Sequence, residues 1–174
     1  MSVDNLLKVT TDGRKAALDV RLTDYDGQLD FSTESKIRVC ARKICEIDEK
    51  YPDTTQIVFS DIGTPKASFN AYDCLADELV SLGMQRDKIA FVHDATTESA
   101  RSKLFADMNK GKIKVVLGST PKLGIGVNVQ EKLIALHHLD VPWRPADMVQ
   151  REGRLIRPGN ENKEVFIFRY ITEG

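Results

Sequence analysis

Two arginines and a glutamine near the carboxyl end carry the chemistry this sequence offers most openly: Gln150, Arg154 and Arg157, within Gln150-Arg151-Glu152-Gly153-Arg154-Leu155-Ile156-Arg157-Pro158-Gly159. Pro145 suits a first helical turn and Pro158 ends one, so the spacing predicts a short helix over residues 145–157. At 3.6 residues per turn the three side chains fall at i, i+4 and i+7 on one polar stripe. Met148, Val149, Leu155 and Ile156 then point mostly the other way, and Glu152 falls inside their apolar arc, where it needs solvent or a partner. Guanidinium groups are planar forks that stay charged. Two of them beside an amide suit a phosphate whose charge grows during reaction, the chemistry of an arginine finger. The same spacing also fits a solvated basic face of a surface helix, and alone it does not separate the two.

The elements that must position these groups alternate. Short β-branched runs at 56–60, 89–93, 113–118, 133–139 and 165–171 read as five buried strands. Between them, helical spacing and caps predict helices over 35–51, 70–82 and from Thr96 or Thr97 to 109, with Gly83 and Gly111 as terminators. Alternation with short turns gives an α/β domain, a mainly parallel sheet with helices on both faces. In such sheets ligands gather at the carboxyl ends of strands. Thr120 and Asp140 both follow strand ends there, and Gln150 lies on the next helix. The first 32 residues look different: Thr11-Asp12-Gly13 is turn chemistry before a short helical stretch, and Asp24-Tyr25-Asp26-Gly27 breaks it again. This predicts an irregular lead-in outside the core, with the domain proper at 33–174.

Composition bounds the function classes. With 174 residues, 41% hydrophobic and 29% charged, the chain can bury one real core. A net charge of −1 gives no global pull toward nucleic acid, so such binding must rest on a local patch. One candidate runs from Arg101 to Lys122, where Arg101, Lys103, Lys110, Lys112, Lys114 and Lys122 face Asp107 alone. That stripe could track phosphates or simply be a solvated face. Three cysteines without metal spacing fit a reducing compartment, and Cys40 and Cys45, five apart on a helix, face different ways. His93, His137 and His138 read as core or loop residues, so no metal site is assigned. With no membrane-length apolar run and no signal peptide, a cytoplasmic location is expected.

Three stretches together resemble a known family. Gln150 to Arg157, as Q-R-x-G-R-x-x-R, resembles the last motif of the superfamily 2 helicases. Asp140-Val141-Pro142-Trp143-Arg144-Pro145 resembles the D-x-x-W-x-P before that motif in Swi/Snf-type translocases. Gly118-Ser119-Thr120-Pro121-Lys122-Leu123-Gly124-Ile125-Gly126-Val127-Asn128 resembles their S-T-x-x-G-G-x-G-x-N motif, with Leu123 where the first Gly would stand. The lead-in's T-x-D-G-R-K-A-A-L-D phrase is similar to the connector in the methylase and helicase fusion proteins of phages and conjugative elements. The likeness covers roughly residues 56–172.

The resemblance implies a RecA-like second motor domain of an ATP-dependent DNA helicase or translocase. Arg154 and Arg157 would be its fingers and Gln150 their neighbour. Gly126, Asn128 and Gly153 would meet the nucleotide and the facing domain, and Ser119, Thr120 and Lys122 the nucleic-acid backbone. Trp143 fits packing in its loop better than stacking on a base. Neither a G-x-x-x-x-G-K-S/T loop nor an acidic metal pair is present. ATP and Mg2+ would therefore be held mainly by a first motor domain, and this chain alone is expected to be inactive. DNA and that first domain are the expected partners. A rival reading keeps the fold as a stand-alone nucleic-acid or protein binding module without motor activity.

Overall fold

The computed structural model describes residues 6–23, 34–123 and 128–172. Five parallel strands, β1 (Thr55–Phe59), β2 (Ile89–Phe91), β3 (Val115–Gly118), β4 (Leu133–His138) and β5 (Phe166–Arg169), form one sheet in the order β2-β3-β1-β4-β5. Every residue of β1, β3 and β4 is buried, as a sheet covered on both faces requires. Alternation along β1 divides the core. Val58 joins Val115 and Leu117 beneath helices α2 (Lys36–Lys50) and α3 (Ala71–Ser81). Ile57 and Phe59 join Val116 and Leu136 on the other face, against Phe105 and Met108 of helix α4 (Glu98–Asn109). The three-layer α/β architecture is the one the sequence predicts.

Capping explains where these helices start. Ser35, Asn70 and Thr97 each accept an N–H from the residue three positions on, at 3.4, 2.9 and 3.1 Å. At the far ends, Gly83 and Gly111 turn the chain with φ of +103° and +73°. Among the described residues no helix is long and apolar enough to cross a membrane.

The lead-in departs from expectation. A helix, α1 (Leu6–Leu18), runs straight through Thr11-Asp12-Gly13. The Thr10 and Thr11 hydroxyls donate to the carbonyls of Leu6 and Leu7 at 2.7 Å, which spends their turn-forming capacity within the helix. Leu18, and Leu22 in the 3₁₀ turn that follows, belong to the core beside Ile37 and Leu75. Asp19 and Arg21 close the attachment: the guanidinium grips both carboxylate oxygens at 2.8 Å and also donates to Cys74 Sγ at 3.0 Å. Asp24 to Gly27 and the expected boundary between residues 32 and 33 lie outside the described residues.

Candidate functional site

The carboxyl ends of β1, β3 and β4 lead into the motif residues. After β1 comes Asp61, after β3 the one-turn helix α5 (Thr120–Leu123), and after β4 Asp140 and the loop to helix α6 (Pro145–Glu152). The stretch from Ser119 to Asn128 is thus partly helical rather than all loop. Leu123, where the family pattern has Gly, is buried, and its Cγ would lie 2.6 Å from a Cβ on Gly118, so Gly118 must stay bare for Leu123 to close over the strand.

Helix α6 has the predicted start, with Pro145 in its first turn, but it stops at Glu152 instead of residue 157. Gly153 weakens the helix, and Leu155 then turns into the core. Asn160 holds that turn by donating its amide to the Leu133 and Leu155 carbonyls at 2.8 and 3.2 Å. The single polar stripe is therefore broken. The apolar arc also fails: Leu155 is buried and Met148 half-buried, while Val149 and Ile156 are 71% and 70% exposed. Glu152 escapes the expected conflict by meeting Arg169 and lying 3.5 Å from His138 Nε2.

What anchors α6 is a charge that patterning assigns to the surface. Arg151 is fully enclosed, its Nη2 donating to Asp61 Oδ2 at 2.7 Å and Asp140 Oδ1 at 3.1 Å. Its Nη1 donates to the Asp140 carbonyl at 3.0 Å and its Nε to Thr120 Oγ1 at 2.8 Å. Thr120 in turn gives its N–H and hydroxyl to the Asp61 carboxylate at 2.6 and 2.8 Å. Burial raises the Asp140 pKa, and the charge of Arg151 works against that rise. Sequence reasoning missed this hub. Its available signal was an aspartate directly after two strands, Asp61 and Asp140.

The predicted site residues divide into two places. Gln150, Ser119 and Thr120 line a groove of about 600 Å3 with Asp61, Thr64, Pro121, Arg144 and Asp147. Ser119 and Thr120 are nearly buried, and the Thr120 hydroxyl is already engaged on both sides; Lys122 is exposed nearby on α5. Arg154 and Arg157 stand past the end of α6. Arg154 is buried, which lowers its pKa, and the charge of Arg157 lowers it further. Arg157 is exposed and donates to the Gly153 carbonyl at 3.1 Å. Gly153 is exposed at the helix end, Asn128 is exposed with its carbonyl held by Asn109 at 2.8 Å, and Gly126 lies outside the described residues. A larger hollow of about 730 Å3 between α1, α2 and the chain after β5 contains none of these residues.

Two further expectations change. Trp143 is 71% exposed rather than packed, its ring covered by the Arg14 guanidinium at 4.7 Å, and Arg14 also donates to the Val141 carbonyl at 2.8 Å. The basic stripe is split by topology, because α4 runs antiparallel to the strands it connects. Arg101, Lys103 and Lys122 sit toward the groove edge. Lys110, Lys112 and Lys114 lie at the opposite edge, where Lys114 pairs with Asp48 at 3.3 Å and Lys112 with Asp107 at 3.6 Å.

Residues 36–159 match the family described as the helicase conserved C-terminal domain. A segment is 32% identical over 72 residues to the "Defense against restriction protein B" of Escherichia phage P1, covering 41% of this chain and 3% of that protein. Among solved structures, the C-terminal part of the Fun30 ATPase domain superposes with a TM-score of 0.63 at 21% identity, covering 90% of this chain and 48% of that one. S. cerevisiae Dbp5 bound to RNA and ADP BeF3 gives 0.57 at 21% identity, covering 80% and 33%. Domain 2 of the DEAD-box helicase Mss116p, bound to an RNA duplex, gives 0.56 at 18% identity, covering 77% and 50%. At these identities the likeness is one of fold, and this chain spans half or less of the length of each.

Proposed function

This chain belongs to the family of helicase conserved C-terminal domains, and on that premise we propose that it is the second motor domain of an ATP-dependent DNA translocase or helicase of superfamily 2, of the Swi/Snf type. The nucleotide site would be shared with a first motor domain in the same parent protein, and this chain alone would be inactive. The observation that carries the reading is the pair of guanidiniums past α6. Arg154 and Arg157 stand three residues apart just beyond that helix end, with the Arg157 fork exposed where a docked domain would meet it.

The groups present fit the triphosphate of ATP rather than its metal. Among the described residues Asp61 and Asp140 are committed to Arg151, and Glu152 to Arg169, so Mg2+ would be held by the partner domain. When bound, ATP supplies the phosphoanhydride whose cleavage drives the motor. Arg154 and Arg157, aided by the Gln150 amide, would stabilise charge developing on the transferred phosphoryl group, while Gly153, Gly126 and Asn128 would meet the nucleotide and the facing domain. The groove holding Ser119 and Thr120, with Lys122 beside it, would follow a nucleic-acid backbone. The 72-residue likeness to a phage P1 protein is in keeping with a parent of phage origin.

The test is ATP turnover by the complete parent protein, with and without duplex DNA, beside this chain alone. Turnover by the parent, raised by DNA and absent from the isolated chain, is the expected result. A parent that hydrolyses no ATP would end the motor reading.

A further inference from the structure

Helix α6 is tied to the sheet through the buried Arg151, and the partners of that charge are spread over three strand ends. Arg151 meets Asp61 beyond β1, Thr120 beyond β3 and Asp140 beyond β4. Asp140 extends the web, since its other carboxylate oxygen accepts the N–H groups of Asp61 and Ile62 at 2.6 and 2.9 Å. In the opposite direction, the Arg151 carbonyl accepts the N–H of Arg154 at 3.2 Å. One residue thus joins the floor of the groove to the turn that carries Arg154 and Arg157.

The Thr120 hydroxyl makes this junction responsive. It has a single proton, now given to Asp61, and it accepts the Arg151 Nε–H. Turning that proton toward a phosphate oxygen in the groove would take a donor from Asp61. The Asp61–Arg151 pair would then readjust, because hydrogen bonds in a packed, poorly solvated network strengthen and weaken together.

We propose that Arg151 is a positioning residue that relays a nucleic-acid phosphate at Thr120 to Arg154 and Arg157, so that nucleic acid stimulates ATP turnover through the Asp61–Arg151 pair. The proposal rests on the motor reading above and adds the route of coupling.

The experiment compares the complete parent protein with its D61N and R151K variants. Basal and duplex-DNA-stimulated ATP turnover, DNA affinity and melting temperature are read for each, well below the melting transition. D61N keeps the shape of the loop and removes its charge. R151K keeps a charge that cannot fork to three partners. In both, the ratio of stimulated to basal turnover should fall about tenfold, within the usual range of coupling between sites, with the stimulated rate losing more than the basal rate. Two outcomes overturn the relay: a ratio that survives in either variant, or basal and stimulated rates that fall in equal proportion as the protein melts, the mark of a purely structural role. A wild-type parent whose turnover ignores DNA would instead sink the motor reading itself.

Discussion

Arg151 meets Asp140 twice, with Nη1 3.0 Å from the backbone oxygen and Nη2 3.1 Å from Oδ1, and their side chains are 0% and 4% exposed. Such a pair adds little over an apolar substitute for both partners, but removing one partner strands the other. Arg151→Met should therefore cost about 3–5 kcal/mol in urea unfolding at neutral pH, with Asp140 left as a buried carboxylate. Wild-type stability in that variant would show that the charge network does not hold α6.

The buried histidines set an acid limit. Gln56 donates through Nε2 to the Ile44 carbonyl, so its oxygen accepts from His137 Nε2 at 2.8 Å, and His137 Nδ1 takes the Tyr170 hydroxyl at 2.7 Å. That is a neutral imidazole. Burial, then the neighbouring charges of His138 and Lys43, hold its pKa down to about 3. Burial and Arg151 hold His138 at about 4. An unfolded chain takes up both protons near pH 6.5. Below that value the unfolded state binds more protons, so stability that is fully present above about pH 6.5 falls toward pH 4 by roughly 1.4 kcal/mol per pH unit for each histidine. Asp140 has the opposite sign: its raised pKa contributes stability at low pH that is lost as pH rises through the folded value. Urea unfolding at about pH 7.5 and about pH 5 should show a larger loss in wild type than in His137→Gln. Equal losses would mean that His137 titrates normally in the fold.

Much of the frame was legible because it depends on local patterns. The run at 56–60 sits one residue from β1, and Ser35, Asn70 and Thr97 cap the helices that polar residues before apolar periodicity predict. The end of α6 was not legible, because its anchor reverses the usual reading of periodicity. Arg151 counts as outward-facing until partners 90 and 11 residues away are known, and Val149 and Ile156 count as inward-facing. The lead-in misled for a related reason. Thr and Gly at 10–13 favour turns by default, and only the burial of Leu18 and Leu22 outweighs that preference.

That burial gives the lead-in a measurable role. Leu18 is 2% exposed among residues of α2 and α3, so Leu18→Ala should cost about 2–5 kcal/mol in urea unfolding. Leu6→Ala, at a position 82% exposed, serves as the control and should change stability by no more than about 0.5 kcal/mol. A Leu18→Ala protein as stable as wild type would return the segment to the status of a detachable connector.

The two proposed fingers should behave differently when removed. Arg157 is exposed, so Arg157→Ala should lower ATP turnover of the complete parent by about 10³-fold with an unchanged melting temperature. Arg154 is buried, so Arg154→Ala should lower turnover similarly and the melting temperature as well. Turnover at the wild-type rate in Arg157→Ala would remove the finger assignment, whatever Arg154 does.

The split basic stripe predicts which lysines a nucleic-acid strand can reach. Lys122 follows Thr120 at the groove edge, whereas Lys112 lies at the other end of β3 and pairs with Asp107. Each phosphate neutralised by a lysine releases counterions, so losing one contact flattens the dependence of log affinity on log salt by about one unit. Lys122→Ala in the complete parent should show that flattening in DNA binding measured across a salt series, and Lys112→Ala should not. If Lys112→Ala flattened the slope and Lys122→Ala left it alone, the strand would have to pass the amino ends of the sheet. The groove at Ser119 and Thr120 would then be the wrong face.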